Sequence, residues 1–288
     1  MEPEPARYPR HTQLFTDLRK VVETFVIPDY IPPAPIIDVG LTIRAQGSCF
    51  AGSLARALGA RGLSVRHMDI QEAINSPHAN KLVYEYLLSP TRPYAFPQHE
   101  KMVPRDFLAN ERISIPTENV FILTLGLAAS WFRKGDTVPI LEADFQNLDA
   151  YEFRFEGIEE NLSYVRSIVT ALRTLNPTIA VVLTVSPVPL NGFYGVRKSA
   201  VVGDLISKAT LRLVVERYLA ERPANVYYWP AFEIVRWLGA HLPPVFGADD
   251  GNARHVNQDL VDLIIDLFLT YFATPAVRGA KPTSGSKS

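Results

Sequence analysis

The chain has 288 residues, of which 47% are hydrophobic and 20% are charged, and its 29 basic side chains balance 30 acidic ones. This length and composition predict one large domain with a sizeable core, and they exclude the strongly basic surface that nucleic acid or an anionic membrane would need. We therefore expect no nucleic-acid partner.

Residue usage also bears on the compartment. A single cysteine, Cys49, excludes an intrachain disulfide framework. The N-terminal residues lack the basic start and apolar core of a secretory signal, and no stretch approaches the roughly 18 apolar residues of a membrane span. These features predict a cytoplasmic protein without a membrane span.

In chain order, residues 1–35 are predicted to form an N-terminal extension that ends in a proline-rich, extended stretch. Residues 36–272 then alternate apolar strands with amphipathic helices and are predicted to form the main domain. Residues 273–288 are mostly small and polar, which is typical of a disordered tail.

The predicted elements of the domain define its fold class. Near-continuous apolar runs such as Ala180–Val185 favour parallel strands that are covered by helices on both faces. We predict an α/β fold, a three-layer α/β/α sandwich with a mostly parallel sheet. The predicted strands are 41–45, 64–68, 120–125, 179–185 and 226–229, and the clearest predicted helices are 158–175, 205–219 and 256–272.

The pentapeptide Gly47–Ala51 lies between the first predicted strand and a helix-like segment, so it places Cys49 at a strand-to-helix turn. Unpaired N–H groups at a helix N-terminus favour an anion, whether a thiolate or a developing oxyanion. The alternative is that Cys49 is a small buried hydrophobic residue. Because the loops at Gly47, Gly126 and Ser186 all follow parallel strands, we expect them to meet at one crevice.

Five later blocks of the sequence, together with Gly47–Ala51, carry a resemblance to a known family. In this order they resemble the GSCFA family, which is similar to the SGNH (GDSL-type) hydrolases, over about residues 36–272. The resemblance implies the same three-layer fold and an acyl-transfer site. The later blocks are Thr124-Leu125-Gly126, Leu175-Asn176-Pro177, Leu183-Thr184-Val185-Ser186-Pro187-Val188-Pro189, Ser207-Lys208-Ala209 and Tyr227-Tyr228-Trp229-Pro230-Ala231-Phe232-Glu233-Ile234.

The nucleophile has two candidates. If Gly47 is aligned with the glycine of the Gly-Asp-Ser block in SGNH enzymes, Cys49 takes the nucleophile's place, whereas another register gives that role to Ser48. A thiol near a helix N-terminus ionises more readily than a hydroxyl, which favours Cys49.

The candidate base is His255, just before the last predicted helix. The resembled enzymes have an aspartate three residues before this histidine, where this chain has Asn252. Asp250 is the predicted acid that orients the imidazole, because a turn at residues 251–252 could fold it back. Asp249 or Asn252 could orient the ring instead. Alternatively, residues 249–252 merely cap the last helix and His255 lies on its first turn.

The predicted oxyanion and substrate-binding residues are Gly126, Asn75 and Ser186. Gly126 matches a glycine of the resembled enzymes, but no asparagine follows it where those enzymes have one. Asn75 supplies a side chain of the right type, with a turn before Pro77 as its alternative role. Ser186 lies where a strand ends in a stiff, proline-rich loop.

Together these features predict an SGNH-like acyl-ester hydrolase or O-acyltransferase that acts through a covalent acyl-enzyme on a small-molecule or glycan ester. The rival hypothesis is a catalytically impaired ligand-binding or scaffold protein on the same fold, and a weaker one is redox sensing through Cys49. No spacing typical of a metal site occurs, so we expect neither metal nor cofactor. The oligomeric state stays open.

Overall fold

The computed structural model describes residues 5–47, 49–70, 74–141, 148–192, 194 and 199–278. Within these ranges the strands are β1 (Thr42–Gly47), β2 (Ser64–Asp69), β3 (Val120–Leu125), β4 (Ala129–Arg133), β5 (Tyr151–Phe155), β6 (Ala180–Val185) and β7 (Val226–Tyr228). The helices are α1 (Leu18–Phe25), α2 (Cys49–Ala60), α3 (Pro77–Leu88), α4 (Gln98–Met102), α5 (Arg105–Ser114), α6 (Ile158–Leu175), α7 (Ala200–Ala220), α8 (Ala231–Leu238), α9 (Gln258–Phe272) and α10 (Pro275–Arg278).

Five of these strands form the main sheet in the order β2-β1-β3-β6-β7, and every neighbouring pair is parallel. The central strand β3 is buried at all six of its positions, as its uninterrupted apolar sequence predicts. Because all five strands are parallel, their carboxyl ends meet at one edge of the sheet, where the candidate site lies.

Helices cover both faces of the sheet. The side chains of β3 alternate between the two layers: Phe121 and Leu123 pack in a cluster with α3, α6 and α7, whereas Val120 and Ile122 pack in a second cluster with α2, α8 and α9. The predicted three-layer α/β/α sandwich is therefore confirmed.

A small antiparallel hairpin, β4–β5, was not predicted from the sequence. Ala129 pairs with Phe155 and Arg133 with Tyr151. The first strand of this pair begins four residues after the end of β3. Residues Tyr151–Phe155 alternate aromatic with charged side chains, which is a strand pattern that the sequence analysis did not use. Residues Ala129–Arg133 show no such alternation.

The predicted N-terminal extension packs against the second helical layer. Val21, Val22 and Ile27 are buried in the same cluster as α9. The Tyr8 hydroxyl accepts a hydrogen bond from Trp237 Nε1 on α8. At the other end of the chain, α10 occupies the first part of the predicted tail, and residues 279–288 lie outside the described residues.

Candidate active site

The turn between β1 and α2 has the predicted strand-to-helix geometry. β1 ends at Gly47 and α2 begins at Cys49, while Ser48 lies outside the described residues. Gly47 has a φ of +143°, and a Cβ there would lie 2.8 Å from Thr124 Cβ on the neighbouring strand. Only glycine fits this sharp turn without strain.

Cys49 is exposed at the first position of α2. The alternative of a cysteine sealed in the core is therefore wrong. Within the described part of the chain, its thiol has no hydrogen-bond partner. The site thus presents a solvent-accessible thiol beside free N–H groups of a helix N-terminus.

A pocket of about 290 Å³ opens above this thiol. It brings the candidate residues Cys49, Asp250 and His255 together. Among the described residues, none of the lining comes from residues 5–35. Gly126, Asn75 and Ser186 are not among the lining residues. The lining comprises Cys49, Phe50, Ser53 and Arg56 from α2, Val188 after β6, Asp249, Asp250, His255 and Val256 from the loop before α9, and Gln258 and Val261 from α9.

Asp250 orients the imidazole of His255. His255 Nδ1 lies 2.5 Å from Asp250 Oδ2, and the carboxylate also accepts the backbone N–H of Asn252 at 2.9 Å. The hydrogen bond from His255, and then that from Asn252, lowers the pKa of Asp250 below its ordinary value. An ionised carboxylate at Nδ1 assigns the proton to that nitrogen, which leaves Nε2 able to accept one.

Asp249 and Asn252 have different roles in the same loop. Asp249 Oδ2 accepts the backbone N–H of Gln258 at 2.6 Å, so this carboxylate caps α9. Asn252 Nδ2 lies 3.3 Å from His255 Nε2. Because α9 begins at Gln258, His255 belongs to the preceding loop rather than to the first helical turn, and the predicted helix start at residue 256 was two residues early.

Asn75 is 1% exposed, and its side-chain Nδ2 has no hydrogen-bond partner among the residues that the structure describes. The other end of its amide is held: Oδ1 accepts from Asn80 Nδ2 at 3.2 Å, and Asn80 Oδ1 accepts from Gln46 Nε2 at 3.0 Å. Gln46 in turn accepts the hydroxyl hydrogen of Tyr84. This buried relay fixes the amide orientation and leaves one donor free, an arrangement that is costly unless a ligand uses the donor.

Gly126 supports Asn75 closely. Its backbone N–H donates to the Asn75 carbonyl at 3.2 Å, and a Cβ at this position would lie 2.6 Å from Asn75 Nδ2. The Gly126 carbonyl accepts from Lys208 Nζ at 2.5 Å. The N–H that was predicted to bind an oxyanion therefore has a partner within the protein, and glycine is required because the asparagine packs against its Cα.

Ser186 is buried immediately after β6. Its backbone N–H donates to the Leu125 carbonyl at 2.9 Å, and its Oγ accepts the N–H of Val188 at 3.3 Å. These bonds shape the turn that brings Val188 into the pocket wall. The side chain itself is a support for the rim.

His67, on the neighbouring strand β2, contacts the candidate turn. Its Nε2 lies 2.9 Å from the Gly47 carbonyl oxygen, and a Cβ on Gly52 would lie 3.2 Å from its Cε1. The contact arises from the parallel register of β1 and β2, which pairs Ala45 with His67. Only that register, not local pattern, could have revealed it.

A second histidine–carboxylate pair lies away from the pocket. His78 Nδ1 is 2.5 Å from Glu156 Oε1, and Glu156 also accepts the hydroxyls of Ser130 at 3.2 Å and Tyr164 at 3.1 Å. The imidazole stacks on Tyr164 with ring centroids 4.3 Å apart. Among the described residues, no group of three or more histidine, cysteine, aspartate or glutamate side chains is arranged to hold a metal ion.

The model of the GSCFA family matches residues 102–268, more than half of the chain. This chain belongs to the GSCFA family. The matched segment of the GSCFA chain includes Gly126, Ser186, Asp250 and His255 and begins after Gly47–Ala51. The comparison with curated proteins gives no match, and none of the described helices combines the length and apolar composition of a membrane span.

Solved structures similar to this GSCFA protein share low identity with it. A carbohydrate esterase family 2 enzyme from Corynascus thermopiles (Myceliophthora fergusii) is 12% identical, with a TM-score of 0.45 over 84% of this chain and 68% of that one. A putative GDSL-like lipase from Parabacteroides merdae is 12% identical, with a TM-score of 0.42 over 86% of this chain and 100% of that one. A putative platelet activating factor from Streptococcus pneumonia is 13% identical, with a TM-score of 0.45 over 90% and 91%. Similarities at this level identify neither the substrate nor the reaction of this chain.

Proposed function

We propose that this protein is an acyl-ester hydrolase or O-acyltransferase that forms a covalent acyl-enzyme on Cys49. The observation that carries the proposal is the exposed thiol of Cys49 in one pocket with an imidazole whose Nδ1 is held by Asp250 at 2.5 Å. A nucleophile, a base and a carboxylate that orients the base are the parts that covalent acyl transfer requires.

The reaction divides into two steps. His255 Nε2 takes the thiol proton as Cys49 Sγ attacks the acyl carbon, and the ester C–O bond then breaks as the imidazolium gives that proton to the departing alkoxide. The resulting thioester is attacked by water, which gives the carboxylic acid, or by an acceptor hydroxyl, which gives a new ester. His255 accepts the proton of the attacking group and returns it to the sulfur.

The oxyanion of each tetrahedral intermediate needs hydrogen-bond donors. The N–H groups at the start of α2 lie beside Cys49. The Nδ2 of Asn75 is a buried donor without a hydrogen-bond partner among the described residues, and Asn75 does not line the pocket. We assign the α2 N–H groups to oxyanion stabilisation, and Asn75 Nδ2 as a second donor whose side chain must turn toward Cys49 as the oxyanion forms. Removing one such donor typically costs about 3 kcal/mol of transition-state stabilisation.

We propose the substrate class from the volume and the lining of the pocket. A volume of about 290 Å³ accommodates a short acyl group and part of the alcohol that carries it. The lining mixes apolar side chains such as Phe50 and Val188 with polar ones. A small acylated metabolite or an acylated sugar fits this description.

One observation favours a second candidate, a ligand-binding protein with an impaired site. Asn252 Nδ2 approaches the His255 nitrogen that must receive the thiol proton, and the thiol has no hydrogen bond to the imidazole in the described structure. For catalysis the imidazole must exchange the amide contact for the thiol. A ligand-binding site would keep the amide contact.

Pre-steady-state kinetics with p-nitrophenyl acetate separates the two. Acyl-enzyme chemistry predicts a burst of p-nitrophenol equal to the enzyme concentration, followed by slower turnover, and loss of the burst in Cys49→Ala. Ser48→Ala is the matched control and should keep the burst; loss of the burst in Ser48→Ala alone would transfer the nucleophile's role to Ser48. A wild-type protein without a burst at any pH at which it stays folded would favour the ligand-binding candidate. Adding a sugar alcohol acceptor then distinguishes a transferase, whose turnover rises, from a hydrolase.

A further inference from the structure

The pocket lies between α2 and α9, which pack against each other, and we call this space the groove. Cys49 and His255 lie at or just before the beginnings of these helices. Immediately after α2, Arg61 pairs with Asp262 at 3.3 Å and Asp266 at 2.7 Å on α9. Both helix N-termini, with their partial positive charge, therefore meet at the pocket.

Arg56 lines the pocket at the end of this groove. It follows Cys49 by seven residues, so the two Cα atoms are separated by about 10 Å along the helix axis. Arg56 Nη2 donates to Ser53 Oγ at 3.0 Å, and Ser53 lies between the two on the same helical face. Cys49, Ser53 and Arg56 thus form one polar wall of the groove.

Arg56 differs from Arg61 in its partners. Among the described residues no carboxylate oxygen lies within 4.0 Å of the Arg56 guanidinium, whereas Arg61, about one and a half turns farther along, has two aspartate partners. Its hydrogen-bond partner Ser53 is neutral. A guanidinium that lines a pocket without a carboxylate partner is suited to bind a carboxylate or phosphate group of a ligand.

Two carboxylates also line the pocket, and both are engaged elsewhere. Asp249 accepts the N–H of Gln258 at the start of α9, and Asp250 accepts Nδ1 of His255. These hydrogen bonds hold the two carboxylates in place without cancelling their negative charge, and Arg56 is the only arginine or lysine side chain among the described lining residues. Gln258 lines the same pocket and is a further polar residue.

We propose that Arg56, with Ser53 and Gln258, forms a subsite for an anionic group of the substrate, a carboxylate or phosphate held beside Ser53, about one helical turn (roughly 6 Å along the axis) from Cys49. The inference rests on the proposed function for the reaction that takes place at Cys49. It narrows the substrate class to esters that carry a negative charge several bonds from the acyl carbon.

Thiol labelling tests this subsite without requiring turnover. Cys49 is labelled with N-ethylmaleimide, with 6-maleimidohexanoate, whose carboxylate lies at the end of a flexible arm, and with N-(2-aminoethyl)maleimide. Each rate is divided by the rate for N-acetylcysteine, and the variants are Arg56→Gln, Arg56→Lys and Arg217→Gln. Arg217 lies on α7, in the opposite helical layer, and controls for the loss of one positive charge.

The subsite predicts that the wild type prefers the anionic over the neutral reagent by about threefold or more at low salt, as expected for a partly exposed ion pair. Arg56→Gln brings this ratio close to one, Arg56→Lys keeps most of it, and Arg217→Gln leaves it unchanged. The preference also falls in high salt.

Three results would overturn the inference: an unchanged ratio in folded Arg56→Gln, a wild-type preference for the cationic reagent, or a Cys49 that none of the reagents labels. These outcomes are separate from those of the burst experiment. A burst with an Arg56-independent labelling ratio removes only the subsite, whereas an Arg56-dependent ratio without a burst removes only the acyl-transfer function.

Discussion

His255 and His78 each place Nδ1 2.5 Å from a carboxylate oxygen, that of Asp250 and that of Glu156, but their surroundings differ. The side chains of His255 and Asp250 are 49% and 47% exposed, whereas those of His78 and Glu156 are 14% and 6% exposed. The first pair borders a pocket that contains a thiol. The second is enclosed by aromatic rings and hydroxyls.

The comparison teaches that a histidine–carboxylate pair does not by itself define a catalytic base. Glu156 accepts hydrogen bonds from His78, Ser130 and Tyr164, so it joins α3, the β4–β5 hairpin and α6 into one unit. Within the described residues, Asp250 accepts hydrogen bonds only from its own loop, and the imidazole that it holds borders a pocket that a substrate can enter. We therefore interpret the buried pair as structural and the exposed pair as catalytic.

Replacing each histidine by glutamine gives the largest expected contrast. His255→Gln should slow acylation of Cys49 by about 10²–10⁴-fold, because the general base is lost, with little change in thermal stability. His78→Gln should leave acylation close to the wild-type rate and lower the free energy of unfolding by about 1–3 kcal/mol, because a buried carboxylate loses a partner. Burst kinetics and urea unfolding measure the two effects. The reverse pattern, with His78→Gln inactive and fully stable, would exchange the two roles.

Asn75 should have the next largest effect. Asn75→Ala should slow acylation by about 10²-fold, because it removes a donor that we assign to the oxyanion. Asn161 is the control: it is also fully buried, but its Nδ2 donates to the Glu156 carbonyl at 2.9 Å within the structural unit. Asn161→Ala should lower stability and leave the acylation rate of the folded protein unchanged. If both variants slow acylation equally, the effect comes from lost stability and the assignment of Asn75 fails.

Replacing the carboxylates of Asp250 and Glu156 should give the same contrast between acylation rate and stability. Asp250→Asn should slow acylation by about tenfold or more, because the amide no longer stabilises the imidazolium or fixes its tautomer. Glu156→Gln should instead lower the midpoint of urea unfolding, since Glu156 accepts three hydrogen bonds in a buried setting. An active Asp250→Asn variant would leave Asp249 or Asn252 as the group that orients His255.

A third histidine makes stability itself depend on pH, and its effect should be the smallest. Burial lowers the pKa of His99 to about 4, below the ordinary value of 6.5, so the folded state favours the neutral ring. Its contribution to stability is therefore complete above pH 6.5 and is lost as the pH falls toward 4. His99→Gln should flatten this decline in urea unfolding between pH 7 and 4, a difference on the order of 2 kcal/mol. An unchanged decline would place the acid sensitivity in other groups, including the two pairs compared above.

The sequence predicted most accurately the elements and contacts that depend on residues close together in the chain. The strand at Val120–Leu125 and the helix at Ile158–Leu175 have the predicted bounds, because an unbroken apolar run and a long amphipathic repeat identify them. The contact of Asp250 with His255 was also predicted, since the turn between them lies within six residues. Such contacts depend on neighbours in the chain.

Contacts between distant segments were not predictable in this way. Asn75 was a candidate by residue type, but its free Nδ2 depends on Asn80 and Gln46, which no local pattern links to it. His67 contacts the Gly47 carbonyl only because β1 and β2 pair in one particular parallel register. The buried pair of His78 and Glu156 likewise depends on the unpredicted β4–β5 hairpin.

The central claim, that Cys49 carries the acyl group and His255 rather than His78 assists its transfer, is tested most directly by peptide mapping. The wild type and the two histidine variants are incubated with p-nitrophenyl acetate, quenched in acid and digested, and the acetyl mass is located by mass spectrometry over a time course. We predict a stoichiometric acetyl group on Cys49 that forms at the wild-type rate in His78→Gln and far more slowly in His255→Gln. No acetyl group on the peptide that contains Cys49, or equal rates in all three proteins, would contradict the account.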